Sequence, residues 1–177
     1  MTNLDFSVLW PFRKLLPAAL GITIGIGLAG FILALAIAII VGSLRSRKLP
    51  KIISVILSTY VEVFRGTPLL VQLFFVYYGL PGLGFHIGPI KAAVITMGLN
   101  SGSYLSENIR ASILAVDRGQ YEAAYILGYT PIQRTFYIIL PQAIRVAIPS
   151  LMNGFSAIIK ETSLVSVLPV VEITKLG

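Results

Sequence analysis

The sequence predicts an all-α protein, a polytopic bundle of membrane-spanning helices with a cytoplasmic helical hairpin, and three observations carry the prediction. Hydrophobic residues make up 56% of the 177 and charged residues 12%, where soluble domains hold roughly 45 to 50% and about 25%. Long apolar runs recur, and the first, Leu15 to Gly42, contains no charge. Between two such runs lies a more polar segment, residues 117–141, with helix start and stop signals of its own. A single transmembrane domain over residues 1–177, with about four spans, accounts for all three.

The first span is expected at about 16–42. At about 1.5 Å per residue it exceeds the roughly 30 Å hydrocarbon core, so it crosses with some tilt. Arg13 and Lys14 ahead of it suggest a signal peptide, but the apolar core of such a peptide is only roughly 7 to 15 residues long. Small residues recur every fourth position in two phases, Gly21, Gly25 and Ala29, then Gly30, Ala34, Ala38 and Gly42. Such stripes let another helix approach the backbone closely. Arg45, Arg47, Lys48 and Lys51 follow, a flank more basic than Arg13 and Lys14. The positive-inside bias therefore puts this loop in the cytoplasm and the N-terminus outside. The net charge of +7 is explained by such membrane-flanking loops rather than by a nucleic-acid surface.

The second apolar stretch, about 52–80, is interrupted by Glu62, Arg65, Gly66, Thr67 and Pro68. It divides into a shallow cytoplasmic-side helix and a spanning helix, with Pro68 at the start of the second piece, where its missing N–H does no harm. Glu62 and Arg65, three apart, are expected to pair on one helical face. Gly79, Pro81, Gly82, Gly84, Gly88 and Pro89 mark an external loop. The third span, about 89–114, carries Glu107 and Arg110 as a second expected ion pair near its inner end. Its segment Asn100-Ser101-Gly102-Ser103-Tyr104 is unusually polar. In hydrocarbon such groups are tolerated only against protein or water, so this face points inward, onto a candidate transport path.

The 117–141 hairpin begins at Asp117, with Gln120 three residues on, and restarts at Thr130, with Pro131 and Gln133 following. Both are expected capping boxes. Gly128 supplies the positive φ that ends the first helix and turns the chain. The fourth span, about 143–165, holds Asn153, Gly154 and Ser156, with Lys160-Glu161-Thr162-Ser163 towards its far end. A charge at mid-membrane costs about 2.5 to 3.5 kcal/mol on insertion scales. Adjacent residues point about 100° apart on a helix, so Lys160 and Glu161 need not satisfy one another. Two readings stand: a polar path, or an ion pair with another chain. The tail from Val165, with Pro169, Glu172 and Lys175, falls on the external side.

Much of the enzymatic repertoire is excluded. Zero cysteines rule out a disulfide, a thiolate metal site and a cysteine nucleophile, and a lone His86 rules out a histidine cluster; no metal site is expected. No G-x-x-x-x-G-K-[ST] loop is present, so any ATP that drives this protein is bound by another chain.

The spacing Glu122-Ala123-Ala124, Gly128, Ile138, Leu140-Pro141 resembles the coupling motif of the membrane subunits of bacterial ABC importers. Phe64-Arg65-Gly66-Thr67-Pro68-Leu69-Leu70, Gly119-Gln120, Pro141-Gln142-Ala143 and Lys160-Glu161-Thr162-Ser163-Leu164 narrow the resemblance to the polar amino-acid uptake family, over about Pro17 to the C-terminus. The resemblance implies a permease of the bacterial cytoplasmic membrane, paired with a second, identical or related permease. It further implies two cytoplasmic ATPase subunits that hold ATP and magnesium, and an extracytoplasmic amino-acid binding protein. Family members usually have five spans, the last returning to the cytoplasm; four are expected here, as in a shortened chain. Glu122, Ala123, Ala124, Gly128, Ile138, Leu140 and Pro141 become the ATPase-coupling residues. Asn100, Ser103, Tyr104, Glu161, Thr162 and Ser163 become the substrate-path residues, offering acceptors for an ammonium and donors for a carboxylate.

Other classes fit less well. A DNA-binding helix-turn-helix shares the hairpin's length, but its second helix would carry Phe136, Tyr137, Ile138, Ile139 and Leu140 with Arg134 alone to reach bases. A subunit of an ion-gradient-driven amino-acid carrier also uses broken helices and intramembrane charges. Its distinguishing property is transport without an ATPase. A purely structural scaffold leaves the polar face of the third span without purpose.

Overall fold

The computed structural model describes residues 15–171 and 173–176. Arg13, Lys14 and Glu172, on which part of the expected topology rests, lie outside the described residues. Six helices follow in order: α1 (Leu16–Arg45), α2 (Lys51–Gly66), α3 (Leu69–Leu83), α4 (Pro89–Leu114), α5 (Arg118–Ile126) and α6 (Pro131–Val167), with a final 3₁₀ turn at Ile173–Leu176.

α1 and α4 form the most extensive pair, and α6 packs on both. One of the two small-residue stripes makes the α1–α4 seam: Gly30, Ala34, Ala38 and Gly42 are all buried. A Cβ at Gly102 of α4 would come 3.3 Å from the Ala34 carbonyl oxygen, so the two backbones nearly touch. The other stripe is open, with nothing within 4 Å of a Cβ built on Gly21 or Gly25.

Two described helices, α1 and α6, are long and apolar enough to cross a membrane, or three if the bent pair α2 and α3 is one span. α4, at 26 residues, is long enough and fails only on composition. Its polar residues face protein: Thr96, Asn100, Ser101, Ser103, Ser106 and Ser112 are buried. Four of its hydroxyls donate back to their own helix, from Thr96 to Ala92 O, Ser103 to Asn100 O, Ser106 to Ser103 O and Ser112 to Asn108 O. A helix that satisfies its own hydroxyls and is wrapped by neighbours does not need an apolar surface.

α2 and α3 meet at 105° around Pro68. Thr67 is extended at φ −114°, ψ 140°, the conformation imposed on a residue preceding proline. Beyond Val167 the chain folds back towards the N-terminal half of α1: Val165, Leu168 and Val170 are buried in the main core, and the Ile173 N–H donates to Thr23 Oγ1 of α1.

Candidate functional site

Two features stand out, a hairpin at one end of the bundle and a polar cavity between α4 and α6.

At the hairpin, Asp117 caps α5 by accepting from the Gly119 N–H at 2.7 Å. The expected box does not form: the side chain bonds two residues on rather than three. The amide of Gln120 is engaged instead at its Oε1 by Gln142 Nε2 of α6. Gly128 has φ +76°. Its N–H donates to Tyr125 O and that of Tyr129 to Ala124 O, both at 3.0 Å, the paired bonds of a Schellman ending. Thr130 forms a complete capping box, its N–H donating to Gln133 Oε1 at 2.9 Å while the Gln133 N–H donates to Thr130 Oγ1 at 3.3 Å.

The second arm is not a separate helix ending at Pro141, as the sequence suggested. α6 runs without interruption from Pro131 to Val167, because a π-helical segment at Arg134–Ile139 takes up the proline. The Leu140 N–H reaches five residues back to Thr135 O, and the widened turn accommodates a Pro141 ring that can donate no bond of its own. The hairpin is thus α5 folded back on the first turns of a membrane helix.

The motif residues divide by burial. Ala124 is buried, Glu122, Ala123, Gly128 and Pro141 are exposed, and Ile138 and Leu140 are half-buried. Ile138 packs with Ile113 and Tyr121 on a small core of Val116, Ile139 and Ala143, which fixes the hairpin to the C-terminal end of α4. Its tip presents Tyr125, Ile126, Leu127, Ile132, Phe136 and Tyr137 to solvent, Ile126 at 82%. Beside this apolar patch a groove of about 410 Å³ is lined by Tyr121, Glu122, Tyr125, Ile126 and Arg134, with the Arg134 guanidinium 5.5 Å from the centre of the Tyr125 ring.

The cavity between α4 and α6 has a volume of about 400 Å³ and is lined by Asn100, Ser101, Tyr104 and Asn108 from one side and by Ser150, Asn153 and Glu161 from the other. Of the six substrate-path residues singled out in the sequence, Asn100, Tyr104 and Glu161 line it. Ser103, Thr162 and Ser163 do not; each donates to a carbonyl three residues back, of Asn100, Ile159 and Lys160 respectively. Ser101, Asn108, Ser150 and Asn153 complete the polar part of the lining, and Leu105, Gly154 and Ala157 supply the rest. Their spacing, 100, 101, 104, 108 on one helix and 150, 153, 161 on the other, traces one face of each helix, the signal that identifies them. Neither Glu161 nor Lys160 makes an ion pair among the described residues.

The two expected ion pairs fare differently. Glu107 meets Arg110 at 3.5 Å, and also Arg45 at the end of α1, a partner 62 residues away that helical spacing does not reveal. Glu62 and Arg65 do not pair. The Arg65 guanidinium lies 5.1 Å from the centre of the Tyr104 ring, a cation–π contact with α4 that draws the side chain away from Glu62.

Residues 21–169 match the family described as binding-protein-dependent transport system inner membrane component. The chain is similar to the probable amino-acid ABC transporter permease protein PatM of Vibrio harveyi, 43% identical over 96% of this chain and 77% of the relative. It is similar to the L-cystine transport system permease protein TcyB of Bacillus subtilis, 43% identical over 93% and 68%, and to the glutamine transport system permease protein GlnP of Escherichia coli, 36% identical over 98% and 80%. Among solved structures, an amino acid ABC transporter crystallised with histidines superposes with a TM-score of 0.89, at 36% identity over 98% of this chain and 80% of that one. With the family match covering both the hairpin and the cavity, this chain belongs to the inner membrane components of binding-protein-dependent transport systems.

Proposed function

We propose that this chain is the permease subunit of an ATP-driven importer of a polar amino acid. The carrying observation is the hairpin: a rigid, capped turn fixed to α4 and α6 that exposes a contiguous apolar tip. Solvent-facing Ile126, Leu127, Phe136 and Tyr137 are the kind of surface that a protein partner covers. The partner is a cytoplasmic ATPase, two copies of which hold ATP and magnesium, and a second permease, identical or related, completes the membrane part. An extracytoplasmic binding protein delivers the amino acid. In this arrangement the basic flank Arg45, Arg47, Lys48 and Lys51 lies with the hairpin on the cytoplasmic side and the N-terminus lies outside. This chain carries the path, and hydrolysis belongs to the partner.

Glu122, Ala123, Ala124, Gly128, Ile138, Leu140 and Pro141 form the coupling element. ATPase closure moves the hairpin as a unit because Gly128 and the Thr130 box hold its turn and the Val116 core holds its base. A docked hairpin shifts the permease between two states only to the extent that it binds the open and closed ATPases differently. The amino acid passes the cavity, where the Glu161 carboxylate accepts from its ammonium and the Asn108, Asn153 and Tyr104 side chains offer further polar contacts. The relatives' names, which include glutamine and cystine transport, support an amino acid as substrate.

The test is substrate-stimulated ATP hydrolysis in proteoliposomes holding this permease, its ATPase and its binding protein, with Gly128→Val and Glu122→Lys beside wild type. Both variants should insert normally and lose the stimulation. Uptake that continues without any ATPase would instead establish an ion-gradient-driven carrier.

A further inference from the structure

The break between α2 and α3 leaves a specific gap in the backbone bonding. In a continuous helix the Phe64 carbonyl would accept from the N–H of residue 68, but Pro68 has none. The carbonyls of Val63, Arg65 and Thr67 lose their helical partners at the same bend, since Thr67 leaves the helix. Side chains take over all four. Thr67 Oγ1 donates to Val63 O at 2.8 Å, and Tyr104 OH donates to Arg65 O at 3.2 Å. Gln72 Nε2 donates to Phe64 O at 3.0 Å and to Thr67 O at 3.1 Å. Asn100 Nδ2 donates to the same Phe64 O at 2.9 Å.

Gln72 also links to Asn100 directly. Its Oε1 accepts the second bond from Asn100 Nδ2, at 3.2 Å. Both amide hydrogens of Asn100 are therefore committed to the broken end of α2, one to Phe64 O and one to Gln72, and the amide cannot rotate without losing both. The atom left over is Oδ1, an acceptor. Asn100 lines the polar cavity; Gln72 does not, and lines a separate, apolar cavity together with Val71, Phe75 and Leu99.

We propose that Gln72 is a positioning residue for the transport site: it fixes the Asn100 amide so that Oδ1, rather than the NH₂ group, faces the cavity. Together with the Glu161 carboxylate this gives the cavity two acceptors and makes it selective for the donor-rich, ammonium end of an amino acid. Gln72 does this without touching the ligand. The inference rests on the cavity being the site through which the amino acid passes.

Equilibrium binding of labelled L-histidine, L-arginine and L-glutamine to the detergent-purified permease–ATPase complex, without the binding protein, separates the two claims. For an amino acid that binds wild type, Asn100→Ala and Gln72→Leu should each weaken binding roughly tenfold. The double variant should be no weaker than Asn100→Ala alone, because Gln72 acts through Asn100. Gln72→Met, which fills much the same space but offers Asn100 Nδ2 no acceptor of comparable strength, should weaken binding as Gln72→Leu does, and it serves as the informative variant where Gln72→Leu does not assemble. If Asn100→Ala binds like wild type, or no amino acid binds wild type, the cavity reading fails and the inference with it. If Asn100→Ala weakens binding but Gln72→Leu does not, or the two effects multiply, the cavity stands and the role given to Gln72 is wrong. Wild-type affinity in Gln72→Met likewise overturns it.

Discussion

Arg45, the last residue of α1, is paired with Glu107 of α4, and Arg110 one turn further along reaches the other oxygen of the same carboxylate. One acid thereby joins two helices at the end of the bundle nearest the hairpin. The Arg110 Nε also donates to Arg45 O at 3.2 Å, so it closes the C-terminal end of α1 as well as neutralising Glu107.

Removing the shared acid is expected to cost more than removing either base. The side chains of Arg45 and Glu107 are only 17% and 26% exposed, so Glu107→Gln leaves two part-buried guanidiniums without a counter-charge, a loss of about 1 to 3 kcal/mol. Thermal unfolding of the detergent-solubilised protein should show a lower midpoint for Glu107→Gln than for Arg110→Gln. Equal midpoints would mean that Arg110 and Arg45 do not depend on the same acid.

The contact between α1 and α4 makes a sharper prediction. A Cβ on Gly42 would lie 2.6 Å from Ser106 O and 2.8 Å from Ile109 Cβ, closer than atoms pack. Gly42→Ala must push the helices apart, at about 1 to 3 kcal/mol. Gly25→Ala meets nothing within 4 Å, and in a helix it gains about 0.5 to 1 kcal/mol. The two substitutions are chemically identical, so opposite shifts in unfolding midpoint would isolate the seam. A loss at Gly25 of similar size would point to a partner helix on the open stripe.

That pair of glycines also shows what the sequence could and could not disclose. Fourfold spacing announces a close helix contact, but it is equally regular for Gly21, Gly25 and Ala29, and only the packing of α4 tells the stripes apart. The capped turn at Thr130, Gln133 and Gly128 was legible because each bond spans three to five residues. The Arg45–Glu107 pair and the Asn100–Phe64 bond, 62 and 36 residues apart in the chain, are set by tertiary packing and leave no local pattern. Ser103, Thr162 and Ser163 stand beside cavity residues in sequence, yet helical geometry turns their hydroxyls onto their own backbone. Polarity marked the right segments; the angle around each helix decided which residues face the cavity.

At the hairpin tip, Ile126 is 82% exposed while Ala124, two residues earlier, is 2% exposed. A charge at position 126 therefore leaves the fold alone and affects only what docks there. Ile126→Asp should keep the unfolding midpoint of wild type and weaken ATPase binding roughly tenfold or more, the range for an apolar contact at the centre of an interface. Titration of the ATPase against the purified permease measures it. Unchanged binding would place the docking surface elsewhere.

Pro141 offers a way to separate docking from force transmission. The π segment Arg134–Ile139 adds one residue to the helix over its length, which rotates the hairpin end of α6 by about 100° relative to the membrane end. Pro141→Ala restores an N–H that can donate to Tyr137 O, removes the ring that required the wide turn, and lets the segment tighten to α-helix. The tip residues then keep their chemistry but lose their angle to the bundle. The expected result is an ATPase that still binds, basal hydrolysis that is unchanged, and stimulation by substrate-loaded binding protein that is largely lost. Full stimulation in Pro141→Ala would show that the angle set by the π segment is not what carries motion from the ATPase into α6.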